Sequence, residues 1–121
     1  MSKASNLLER LGPLWEMADL DSRDTGIHGI VIYVSPSQHS SGPRIKVGKN
    51  NGTMRSHKYS FSMTISDNPE IIAGSPEGIA NSKKIELVKI WIKKNKDILL
   101  KYWNKEVFTR DLFNEIKPIN D

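Results

Sequence analysis

Residues 29–65 read GIVIYVSPSQHSSGPRIKVGKNNGTMRSHKYSFSMTI, and this stretch decides the fold. Three runs within it are β-branched or aromatic and alternate with a period of two. In Gly29–Ser35 the apolar residues fall on both faces: Ile30, Ile32 and Val34 on one, Val31 and Tyr33 on the other. Such a strand belongs inside a sheet, at its centre. In 44–47, Ile45 and Val47 face inward while Arg44 and Lys46 face outward. In 59–65, Phe61, Met63 and Ile65 share one face, and Ser60, Ser62 and Thr64 the other. Pro36 and Gly42-Pro43 punctuate the first connection, and Asn51-Gly52, which tolerate positive φ, the second. The expectation is a three-stranded antiparallel meander.

Working outward, residues 5–20 place Leu7, Leu8, Leu11, Leu14 and Trp15 at helical spacing, interrupted at Gly12-Pro13. This predicts a broken N-terminal helix, then a polar connection over Asp19–Gly26. Downstream, Asn68-Pro69 has the form of a cap and first residue opening a short helical segment. Residues 73–81 read as a loop. A long helix follows over 82–105. Val88, Trp91, Ile92, Leu99, Tyr102 and Trp103 fall on one arc, with Lys89, Lys93, Lys94, Lys96 and Lys101 opposite. Asn95 falls inside the apolar arc, where an amide needs partners. It calls for a hydrogen bond to a neighbouring loop or a break between two helical halves. A short helix over 109–117, capped by Thr109 and ended by Pro118, completes one α+β domain spanning 1–121.

Charge is the strongest functional signal. Between Asp24 and Asp67 lie 42 residues with no Asp or Glu, carrying Arg44, Lys46, Lys49, Arg55 and Lys58 and all three histidines. The window's formal charge is +5, whereas the chain totals +4, so the whole excess comes from this one stretch. Arg44 and Lys46 sit ~6.6 Å apart on one strand face. With Lys49, Arg55, His57 and Lys58 they form a basic hairpin suited to nucleic-acid phosphates or to an acidic protein surface. The competing explanation is that Arg and Lys guard an edge strand against aggregation.

Other chemistry finds less support. The spacing of His28, His39 and His57 matches no metal-ligand motif, and no carboxylate lies between them. His39 and His57 with Lys58 or Arg55 are the raw material for metal-independent RNA cleavage, a third reading. Paired carboxylates, a Ser/His/Asp order and a phosphate-cradling glycine loop are absent. There is no cysteine, so neither disulfides nor thiolate zinc sites operate. The longest uninterrupted apolar run, Ile30–Val34, is too short for a bilayer, and the first residues lack a secretory core, so a cytoplasmic location is expected.

The His- and Pro-containing turn (Pro36, His39, Gly42-Pro43) and the ending Leu99-Leu100-Lys101-Tyr102-Trp103 resemble a small bacterial family, the domain-of-unknown-function 4160 type. The resemblance covers residues 28–104. It implies a small accessory protein of bacteria or their mobile elements, sometimes encoded beside toxin–antitoxin-like genes. The sequence reading is therefore a non-enzymatic binding module that needs no cofactor. Its partner is nucleic acid or an acidic protein, or it forms a homodimer. No membrane is involved.

Overall fold

The computed structural model describes residues 16–36, 42–50 and 59–120. Its elements are β1 (Ala18–Leu20), α1 (Ser22–Thr25), β2 (Ile30–Val34), β3 (Arg44–Lys49), β4 (Ser60–Thr64), β5 (Ile71–Ala73), α2 (Ser82–Lys94), α3 (Lys96–Trp103) and α4 (Thr109–Glu115). The class is α+β, as expected, and the three strands of residues 29–65 are all present.

The expected sheet was nevertheless too small. It has five antiparallel strands in the order β1-β2-β3-β4-β5. Each extra strand is three residues long and sits at an edge. Ala18-Asp19-Leu20, expected to end a helix, pairs with Val34, Tyr33 and Ile32. The rest of that helix, residues 5–15, lies outside the described residues. Ile71-Ile72-Ala73, where a short helical segment after Asn68-Pro69 and the start of a loop were expected, pairs along β4. Strands this short have no legible period of their own; the neighbouring strand's unpaired N–H and C=O groups recruit them. The additions also move the centre. β2 is interior and wholly buried, but β3 is the middle strand.

One face of the sheet carries Leu20, Ile32, Val47 and Phe61 in a single cross-strand row, with Ile30, Val34, Ile45 and Met63 beside it. They join Val88, Trp91 and Ile92 of α2, Leu99 and Tyr102 of α3 and Leu112 of α4 in one core. The apolar arc read from the sequence is thus the packed one, with Trp103 buried outside this cluster.

The single long helix is two helices. α2 ends at Lys94, and Asn95 (φ −108°, ψ 15°) separates it from α3. The Asn95 side chain is buried. Its Nδ2 donates to the Trp91 carbonyl (3.0 Å) and the Lys117 carbonyl (2.8 Å), while its Oδ1 accepts from the Lys117 N–H (2.8 Å). The break and the bond to a neighbouring segment are therefore one device. Tyr102 performs a similar task for β1: its hydroxyl donates to the Glu16 carbonyl and accepts from the Glu16 N–H (2.9 Å). In α4, Thr109 is the first helical residue rather than the cap, and Asp111 instead reaches back to the Phe108 N–H (2.8 Å).

Candidate anion-binding groove

The pleat divides the basic residues of β3. Arg44 and Lys46 point away from the helices, because Ile45 and Val47, which alternate with them, point into the core. On this outer face Lys46 stands between Tyr33 of β2 and Ser62 of β4, and Arg44 stands opposite Thr64. Both cations are half-buried, and the Arg44 Nε is buried. Since β3 is the central strand, neither residue protects an edge, and that explanation of their charge fails.

Lys49 has the opposite parity. It follows Ile45 and Val47 on the helix side, at the end of β3, where it pairs with Ile30 and is exposed. Tyr59 and Lys49 are each one residue beyond the last ladder pair, Gly48–Ser60, and so face one another across β3 and β4. Arg55, His57 and Lys58, and with them His39, lie outside the described residues. His28 is exposed and precedes Gly29 at the same end of the sheet.

A residue not singled out from the sequence completes this end. Lys84, in the first turn of α2, brings its ammonium over Gly29: a Cβ built on that glycine would lie 2.6 Å from Lys84 Nζ. Gly29 has φ +82°, so the chain there is in the left-handed region that favours glycine. Lys49 and Lys84 line one cavity of about 360 Å³ with Asn81 and Gly78. It adjoins another of about 500 Å³, lined by Lys49, Tyr59, Ser75 and Glu77 among others. The two share Lys49, Gly78 and Ile79, so they form one groove between the sheet end and the 75–80 loop.

Electrostatics favour an anion there. The first turn of α2 holds no acidic residue, although that position favours Asp and Glu; it holds Lys83 and Lys84 instead. The Asn81 side chain already accepts from the Lys84 N–H (2.9 Å), so the attraction comes from the ammonium groups rather than from that amide. Glu77 is the one carboxylate among the described lining residues. The signal for Lys84 was legible: two lysines in the first turn of a helix oppose its dipole and ask for a partner.

Three of the other helix lysines have partners. Lys89 pairs with Glu86 at 3.3 Å, and Lys94 Nζ donates to the Pro118 carbonyl at 2.9 Å. Lys96 pairs with Asp67 at 2.7 Å; that bond holds the Asp67 carboxyl below its usual range and raises Lys96 above its own. Among the described residues no group of three or more His, Cys, Asp or Glu could hold a metal, and no helix is long and apolar enough to cross a membrane.

No family model, curated protein or solved structure matches this chain.

Proposed function

We propose that the protein is a small non-enzymatic binding module of bacterial or phage origin that contacts the phosphates of nucleic acid. One observation carries the reading: Lys49 from the end of β3 and Lys84 from the start of α2 line one groove at one end of the sheet, beside a helix start without acids. Two ammonium groups carried by separate elements, a strand and a helix, can close on one phosphate, and affinity for a nucleic-acid backbone is chiefly electrostatic. The reading retains Lys49 from the basic hairpin and adds Lys84. Arg44 and Lys46 lie on the other face of the sheet and are not part of this clamp.

The test is anisotropy of labelled DNA and RNA, titrated across a salt series with the native protein and with Lys49→Glu/Lys84→Glu. Native binding should weaken steeply with salt. The double variant should lose most of its affinity, while a control, Arg44→Gln/Lys46→Gln, keeps it. Loss of both contacts corresponds to a fall of about 1.4 in the log–log slope on single strands. A folded double variant that binds as tightly as the native protein would refute the proposal.

A second reading, self-association, has its own observation. β5 is an edge strand, and Ile71 (39%) and Ile72 (42%) are exposed on it. An apolar edge that no described strand covers can pair with another copy. Sedimentation equilibrium decides this reading: a monomer at tens of micromolar would remove it.

A further inference from the structure

Tyr59 is 73% exposed, the most exposed of the large hydrophobic side chains among the described residues. It lies on the helix side of the sheet, in line with the buried Phe61 and Met63, and is the point at which that apolar row reaches solvent. Its ring lines the groove directly across from Lys49. An exposed aromatic face next to a pair of ammonium groups can accept an unstacked base while the cations hold its phosphate.

Resting on the phosphate-binding reading above, we infer that this groove seats one nucleotide of a single strand, its base on the Tyr59 ring and its phosphate between Lys49 and Lys84. The shape of the charge supports this polarity. Lys49 lines both portions; the Lys84 portion adds a second cation and the Asn81 amide, whereas the Tyr59 portion adds Ser75 and Glu77. A phosphate is favoured where the two cations converge rather than beside Glu77. A neutral base tolerates that carboxylate and can donate to it, through N3–H in thymine or an exocyclic amino group in the other bases. The Ser75 hydroxyl already accepts from the Glu77 N–H (3.2 Å) and can still donate or accept, so it suits any base. Stacking likewise tolerates any sequence, because every base presents a π-face. A duplex is disfavoured, because its bases are stacked on one another and cannot reach a ring set in a groove.

The experiment uses three probes on the full chain: labelled ten-residue oligothymidylate, a duplex of the same length, and inorganic polyphosphate as a competitor without bases. Tyr59→Leu and Tyr59→Phe are compared with the native protein, with thermal midpoints recorded for each. The expected result is that the native protein prefers oligothymidylate to duplex. Tyr59→Leu should lose about tenfold on oligothymidylate and nothing on polyphosphate, and Tyr59→Phe should keep the preference. If Tyr59→Leu binds oligothymidylate as the native protein does while polyphosphate still competes, the nucleotide site is overturned and the cationic clamp stands. If none of the three probes binds, both readings fall.

Discussion

Replacing Gly26 by alanine tests how the end of the described chain is held. Gly26 closes α1 in the left-handed region (φ +77°), and its N–H donates to the Ser22 carbonyl at 2.8 Å. A Cβ there would lie 1.8 Å from the Ile119 carbonyl oxygen and 2.9 Å from its carbon. Both are backbone atoms, so no rotamer change relieves the overlap, and the segment carrying Ile119 must lift. Lifting it breaks the bond from the Ile119 N–H to the Thr25 carbonyl, now 2.9 Å, worth about 1 kcal/mol. It also exposes the buried Ile119 side chain, worth about 2 kcal/mol. The left-handed backbone adds about 1 kcal/mol for any residue with an ordinary Cβ. The expected cost is therefore about 4 kcal/mol, a large share of the stability of a typical domain, and about 15 °C in thermal midpoint. Urea denaturation of three further variants separates the causes. Gly26→Asn, which tolerates positive φ, should recover only about 1 kcal/mol. Ile119→Ala alone should cost about 2 kcal/mol. The double variant Gly26→Ala/Ile119→Ala should be no worse than Gly26→Ala by more than about 1 kcal/mol, because the lifted segment has already lost that burial. A cost for Gly26→Ala of under about 1.5 kcal/mol, or full additivity in the double variant, would refute the reasoning.

Two further outcomes follow from the same geometry. Gly29→Ala meets only the mobile end of Lys84, so its stability cost should be the backbone strain of about 1 kcal/mol, yet polyanion affinity should fall because the ammonium is pushed off its position; denaturation and anisotropy on one sample check both. The Lys96–Asp67 pair makes stability depend on pH in a defined direction. The lowered Asp67 carboxyl contributes fully above its ordinary value of 3.8, and this is lost as pH falls through the lower folded value. The raised Lys96 contributes fully below 10.5, and this is lost as pH rises through the higher folded value. Lys96→Met should thus lower the thermal midpoint by a small, constant amount between those limits and converge with the native protein in stronger acid; parallel curves down to the lowest pH would contradict it.

The sequence alone determined the elements whose pattern is long enough to be periodic. β2, β3 and β4, the buried arc from Val88 to Trp103 and the special status of Asn95 were legible because each follows from local alternation, helical spacing or an amide in an apolar row. β1 and β5 were not legible. Three residues carry no usable period, and Ala18–Leu20 and Ile71–Ala73 are strands only because β2 and β4 offer hydrogen-bonding edges to them. The candidate site divides along the same line. Charge counting identified β3, and alternation placed Arg44 and Lys46 on one face. That Lys49 belongs instead with Lys84 and Tyr59, residues 35 and 10 positions away, depends on which end of a five-stranded sheet the start of α2 is packed against. Local sequence sets side-chain direction along a strand, whereas only the packing of helix on sheet brings cations from distant segments to one place.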